Sequence, residues 1–218
     1  MRVLELFAGT RSISKAFEAR GHETFSVDWD PSFEGIDLCG DVMDIEAADI
    51  LRLFGHPDVI WASPDCTTYS IAAISHHRMR EETGNLAGVS EYAKACDRVN
   101  LHMHGLIMAL SPRFWFIENP RGGMRKMDFM QGLPRYTVTY CQYGDTRMKP
   151  TDIWTNHPEP NFRPPCHNGD PCHERAPRGA KTGTQGLAKV DRSRIPSQLC
   201  EHIVDICEQY VMTKGVAI

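Results

Sequence analysis

Short apolar, β-rich runs alternate with stretches of helical periodicity along the first 120 residues. Strands are predicted over residues 2–7, 23–28, 58–62 and 114–118, and helices over 11–20, 44–54 and 89–110. This alternation predicts parallel βαβ units, and hence an α/β fold with a doubly wound, Rossmann-like sheet. Two further strands are expected near residues 137–141 and 153–155. Over residues 157–195 the periodicity is lost and Pro, Gly, His and basic residues dominate, which predicts a small loop-rich insert. Helical spacing returns over 195–211, with Leu199, Ile203, Ile206 and Tyr210 on one face. The expected layout is a core over 1–156, an insert over 157–194 and a C-terminal helix over 195–218 that packs back on the core.

Composition narrows the class. With 218 residues, 41% apolar and 24% charged, the chain has material for one well-cored domain, and wholesale disorder is excluded. No apolar run approaches the ~20 residues of a membrane helix. The opening M-R-V-L-E-L-F-A-G reads as a strand and a turn, so a soluble, cytoplasmic monomer is expected. In that setting the eight cysteines read as reduced thiols with metal or catalytic use. The net charge of -4 hides an asymmetry: residues 1–111 carry 9 basic and 17 acidic side chains, residues 112–194 carry 14 and 8. Two readings stay open, a polyanion bound by the basic region or a chance division of solvated charge.

Candidate chemistry collects where strands end. Phe7-Ala8-Gly9-Thr10-Arg11 follows the first strand, and a glycine there lets a cofactor approach the backbone, although many α/β proteins place one for the turn alone. Asp28-Trp29-Asp30 ends the second strand with carboxylates for ribose hydroxyls and an indole for a purine. Gly40-Asp41-Val42 supplies a third carboxylate at a strand end. Ser63-Pro64-Asp65-Cys66 presents a thiol on a tight loop, where it is either a nucleophile or a buried structural cysteine. The apolar run 114–117 delivers Glu118-Asn119-Pro120 to the same edge, and a carboxylate there is costly without a partner or a role. Cys66 and Glu118 are thus expected on neighbouring strands facing one crevice. His102 and His104 read as packing or surface residues, and His76 through Arg80 as a flap or a solvated loop.

In this order the strings resemble the motifs of the cytosine-5 methyltransferases, which use S-adenosylmethionine. Leu4 to Gly9 resembles the first motif, Asp28-Trp29-Asp30 the second and Gly40-Asp41 the third. Pro64-Asp65-Cys66 resembles the nucleophile loop, Pro112 through Asn119 the Glu-Asn motif, and Tyr143 through Lys149 the basic motif. Ile195-Pro196 resembles the end of the final motif. The short layout is most similar to compact phage-type members. Three departures stand out: Arg11 in place of a glycine, Asp65 in place of a proline, and Ser193-Arg194 where Gly-Asn is usual. The resemblance implies DNA as partner, with RNA an alternative, and S-adenosylmethionine near Phe7, Ala8, Gly9, Thr10, Asp28, Trp29, Asp41, Val42 and Pro64. It implies Cys66 as nucleophile, Glu118 as the group serving ring nitrogen 3, and Asn119 as support. Arg147, Lys149 and Ser70 would hold the substrate, with an exposed loop arginine the plainer reading of Arg147. A catalytically inactive homologue is the rival expectation.

The insert carries its own signal. Pro164-Pro165-Cys166-His167-Asn168-Gly169-Asp170-Pro171-Cys172-His173 is too polar and turn-rich to bury a core. A tetrahedral zinc held by Cys141, Cys166, Cys172 and His173 would order it, with His157 and His167 in reserve. A flexible loop with free thiols is the alternative. Arg163, Arg175, Arg178, Lys181 and Lys189 would then present positive charge to a phosphate backbone.

Overall fold

Strand alternation sorts the core into two layers in the computed structural model, which describes residues 1–174 and 189–215. The chain order is β1 (Arg2–Leu6), α1 (Ser12–Glu18), β2 (Glu23–Asp28), β3 (Leu38–Cys39), α2 (Ala47–Leu53), β4 (Val59–Ala62), α3 (Ile74–His77), β5 (Arg78–Arg80), β6 (Leu86–Gly88), α4 (Glu91–Leu110), β7 (Phe114–Pro120), β8 (Arg135–Thr139), β9 (Pro150–Thr155), α5 (Lys189–Ser193) and α6 (Ser197–Lys214). Val3, Val59, Trp61, Phe114 and Phe116 point to one side and pack on Ile13 and Phe17 of α1 and Leu199, Ile203 and Cys207 of α6. Leu4, Leu6, Ile60, Ala62, Trp115 and Ile117 point to the other, against Ile50 of α2 and Met103, Ile107 and Leu110 of α4. Each such fully buried aliphatic or aromatic side chain contributes about 1.5–3 kcal/mol.

Seven strands form one sheet in the order β3-β2-β1-β4-β7-β9-β8, and β5 pairs with β6 as a separate antiparallel hairpin. The doubly wound α/β expectation holds for β3, β2, β1, β4 and β7, which run parallel. It does not extend to the last two strands. β9 inserts between β7 and β8 and runs antiparallel to both. The reason is length: a parallel return needs a crossover of a dozen or more residues, and only 140–149 separate β8 from β9. β8 also ends two residues earlier than expected, because Tyr140–Tyr143 wind into a 3-10 turn. The helix expected from residue 44 starts at Ala47, where Glu46 and Asp49 form a capping box. His102 is a packing residue, its Nε2 2.9 Å from the Ile45 carbonyl, and His104 packs edge-on against Phe129.

A buried carboxyl anchors the first helix. Glu5 of β1 accepts from the amides of Ile13 (3.2 Å) and Ser14 (2.8 Å) and from the Ser14 hydroxyl, so it anchors the start of α1. Burial nevertheless outweighs those donors and pushes its carboxyl up to about 7. The folded state therefore favours the protonated acid. The stability this confers is fully present below pH 4.5 and is lost as pH rises through about 7, a change on the order of 3 kcal/mol. Denaturation midpoints measured from pH 4.5 to 8 should fall in the wild type, and Glu5→Gln should flatten that slope. Parallel slopes in the two proteins would remove Glu5 as its source.

Candidate active site

Strand order reverses between β1 and β4, and ligands of such sheets bind in the crevice outside the carboxyl ends of the strands at that switch. At the β1 end the backbone takes left-handed conformations at Phe7 (φ 57°), Gly9 (φ 50°) and Arg11 (φ 56°). A Cβ on Gly9 would meet the Phe33 ring at 3.7 Å, so the constraint there is φ rather than crowding. Asp28 braces the turn, accepting from the amides of Gly9 (2.8 Å) and Asp30 (2.9 Å). Ala8 is tied to the Val27 carbonyl at 3.0 Å, and the hydroxyls of Thr10 and Ser12 lie 2.8 Å apart. Arg11 keeps its side chain out of the turn by pairing with Glu18. Trp29 is two-thirds exposed, Val42 is buried, and Asp41 is exposed and caps the 3-10 turn Val42–Asp44 through the Met43 amide.

Cys66 lies half-buried on the loop after β4, at the start of the 3-10 turn Thr67–Tyr69. Three neighbours hold this loop. Asn119 donates its Nδ2 to the Pro64 carbonyl at 3.0 Å, joining the ends of β4 and β7. Asp65 accepts from the Thr67 amide (2.8 Å) and hydroxyl (2.6 Å), and its other oxygen receives the Tyr92 hydroxyl. Arg78, buried, donates to the Thr68 carbonyl (3.0 Å) and hydroxyl (2.8 Å) and pairs with Asp97 through both terminal nitrogens. Tyr69 donates to Asp97 (2.7 Å), and the Arg78 guanidinium lies over its ring at 3.9 Å. The flap or solvated loop expected at 76–80 is therefore corrected at Arg78, which is buried because the β5–β6 hairpin brings it against Thr68, Tyr69 and Asp97. Gly122 completes the packing, since a Cβ there would collide with the Tyr69 carbonyl.

Glu118 lies within β7, which runs two residues past the end expected at 118 because Asn119 and Pro120 also pair with β9, and it is buried beside this loop. Tyr140 donates its hydroxyl to Glu118 at 3.0 Å, and the Lys149 ammonium lies 4.4 Å from the centre of the Tyr140 ring. Burial raises the Glu118 carboxyl, while Lys149, then Tyr140 and Ser63, oppose that rise. Burial, then Glu118, then Asp65 push the Cys66 thiol up to about 11, with Lys149 pulling it down. The crevice thus holds a thiol and a carboxyl that both resist ionisation, with one ammonium influencing both.

Cys66 follows β4 and Glu118 lies in the neighbouring parallel strand β7, close enough for the carboxyl to act on the thiol. No protein-family model matches the chain. A protein of Frog virus 3 named "Probable DNA (cytosine-5)-methyltransferase" is 28% identical over 230 residues, covering 95% of this chain and all of the viral one. The chain is a homologue of this viral protein. Among solved structures, a protein named as a DNA modification methyltransferase, encoded within an E. coli prophage, matches with TM-score 0.52 at 17% identity, over 71% of this chain and 46% of that one. The S. pombe Dnmt2 methyltransferase matches with TM-score 0.49 at 13% identity, over 71% and 48%. This chain spans less than half of either solved chain, and the prophage match speaks to the fold.

In this methyltransferase homologue the expected substrate residues separate. Lys149 joins Cys66 and Glu118, whereas Arg147 lines a groove with Tyr143, Arg194 and Gln198 beside the start of α6. Ser70 is half-buried and accepts from the Ala72 amide at 3.4 Å. The four expected metal ligands do converge: the donor atoms of Cys141, Cys166, Cys172 and His173 all lie within 4.8 Å of one another. The reserves stay out, with His157 buried against the Ile206 carbonyl and His167 exposed. Arg163 is exposed, with Nη1 donating to the Gln142 carbonyl and the Gln198 side chain and the guanidinium over the Tyr143 ring. Arg175, Arg178 and Lys181 lie outside the described residues, and Lys189 opens α5. Among the described residues, no helix is long and apolar enough to cross a membrane. Reading the sequence missed Arg78, Tyr140 and Gly122. Only the Gly122-Gly123 pair after Asn119-Pro120 signalled a close backbone approach.

Proposed function

We propose that this chain transfers a methyl group from S-adenosylmethionine to carbon 5 of cytosine in DNA through a covalent adduct with Cys66. The observation that carries this reading is the Cys66 thiol on the β4 loop beside buried Glu118 on β7, with Lys149 acting on both. The leading strand ends suit the cofactor: the left-handed turn at Phe7, Gly9 and Arg11 opens the backbone, and Asp41 and Trp29 are exposed to an adenine amino group and ring. Asp28 serves as the brace of that turn. When bound, S-adenosylmethionine supplies an electrophilic methyl group on a positively charged sulfur.

Cys66 loses its proton to solvent and its thiolate adds to carbon 6 of a cytosine swung out of the stack, since carbon 6 is out of reach within a duplex. Electron density moves onto the ring, and protonated Glu118 donates to ring nitrogen 3. Tyr140 and Lys149 hold Glu118 in place. Carbon 5, now enamine-like, would take the methyl group as the methyl–sulfur bond breaks and the cofactor leaves as a neutral thioether. Loss of the carbon 5 proton to a base, with the nitrogen 3 proton returning to Glu118, would then expel the Cys66 thiolate and restore the ring. Asn119 acts as a positioning residue by fixing the Pro64 carbonyl beside the thiol.

The same reading assigns residues 157–194 to target contact, with Arg147 and its groove accepting a flanking phosphate. It also assigns one zinc ion to Cys141, Cys166, Cys172 and His173. With Zn–S near 2.3 Å and Zn–N near 2.0 Å, the edges of a tetrahedron are roughly 3.5–3.8 Å. Cys141 and Cys172 lie 3.7 Å apart, and His173 Nδ1 lies 3.6 Å from Cys166 and 3.5 Å from Cys172. Cys141 and Cys166 are closer, at 3.1 Å. Incubation with methyl-labelled cofactor and separate pools of DNA and RNA tests the function. Label at carbon 5 of DNA cytosine is expected. Label in RNA alone would move the substrate class, and binding without label would make the chain an inactive homologue.

A further inference from the structure

The cluster of three cysteines and a histidine lies one residue from a group that touches Glu118. Cys141 directly follows Tyr140, whose hydroxyl donates to Glu118 at 3.0 Å. The Cys166 amide donates to the Thr139 hydroxyl at 3.0 Å, and the Glu174 amide to the Thr146 carbonyl at 2.7 Å. Segment 164–174 therefore lies against the arch 140–149 that joins β8 to β9. That arch closes on itself through Tyr140 N to the Met148 carbonyl (2.8 Å) and Asp145 N to the Tyr140 carbonyl (3.2 Å), and it ends at Lys149. Segment 164–174 has little apolar material of its own, so backbone bonds and the four ligands are what hold it.

Resting on the zinc assignment above, we infer that the metal positions the acid side of the active site: it pins the arch that places Tyr140 and Lys149 against Glu118. The cofactor side is built separately, by the ends of β1, β2 and β3, on the far side of β4 in the sheet. Metal removal should therefore damage the chemical step and spare cofactor binding. Tyr140→Phe should reproduce part of the damage with the zinc retained, because it removes only the hydroxyl on Glu118.

The test uses full-length protein purified without chelator. Elemental analysis should give about one zinc per chain, and cobalt substitution should give the visible bands of a tetrahedral thiolate site. Zinc-stripped protein and Cys172→Ser, which changes an exposed ligand, should lose roughly 10–100-fold in kcat and in the rate of adduct formation with 5-fluorocytosine DNA. The Kd for S-adenosylmethionine by calorimetry should not change, and readding zinc should restore the wild-type rate. Hydrogen exchange should speed up in residues 140–149 and stay slow in residues 1–44. A zinc-free protein with Cys141 and Cys166 joined as a disulfide would overturn the zinc assignment itself. Zinc that is present but can be removed without change in kcat or in exchange at 140–149 would overturn the positioning role alone. Loss of cofactor binding on stripping would also overturn it, since the metal would then hold the whole fold.

Discussion

Cys66→Ala is expected to lower methyl transfer by on the order of 10^4-fold or more, the scale on which loss of a covalent nucleophile acts. Cofactor affinity should stay within about twofold, because the proposed mechanism sets the thiol against the base and the adenosine at the ends of the leading strands. Wild-type protein should form an adduct with 5-fluorocytosine DNA whose mass maps to Cys66, since fluorine at carbon 5 blocks the last elimination. Active protein without that adduct would sink the covalent mechanism. The pH dependence follows from the same geometry. With the thiol pushed up to about 11, the thiolate fraction and the rate should rise from pH 7 to 9 as long as Glu118 stays protonated. Asp65 contributes to that upward push, so Asp65→Asn should move the rising limb to lower pH. Asparagine keeps an oxygen for the Thr67 amide, which proline would not.

Arg78→Ala should destabilise the fold by about 3–5 kcal/mol, because it strips a buried charge from Asp97 and leaves the Thr68 carbonyl unpaired. The Arg78 side chain is wholly buried and that of Asp97 is 19% exposed, so water can replace little of what is lost. For a chain of this size the melting temperature should drop by roughly 6–20 °C. Arg78→Met with Asp97→Asn should recover part of that loss, as both charges leave together. At temperatures where the single variant is still folded, adduct formation at Cys66 should slow, because Arg78 bonds two groups of the residue that follows Thr67. A melting temperature within about 2 °C of wild type would mean that the network carries little energy.

What could be read from the sequence divides along physical lines. The ends of β1, β2 and β4 were legible because apolar β-rich runs give way there to Gly9, Trp29-Asp30 and Pro64, whereas β7 runs on through Glu118, Asn119 and Pro120, which pair with β9. The convergence of Cys141, Cys166, Cys172 and His173 was legible from composition, since a polar, proline-rich segment needs some other source of order. Strand direction was not, because an alternating pattern is the same read either way, and β9 therefore gave no sign of its antiparallel place. Arg78 was missed because Arg78-Met79-Arg80 has the composition of a surface turn. Its burial depends on Asp97, 19 residues away, and on the Tyr69 ring. Asp28 looked like a ligand group, and only the fold brought the Gly9 amide to it.

The insertion of β9 between β7 and β8 also bears on how the chain emerges from the ribosome. β8 is synthesised first, yet its one neighbour in the sheet is β9, so it has no place to dock until residue 155 has been made. Until then β7, with its run Phe114-Trp115-Phe116-Ile117, presents an open edge of unpaired amides and carbonyls. The closing event is the docking of β9 on the β7 edge together with β8, which brings Lys149, the residue before β9, to the Glu118 side in a single step.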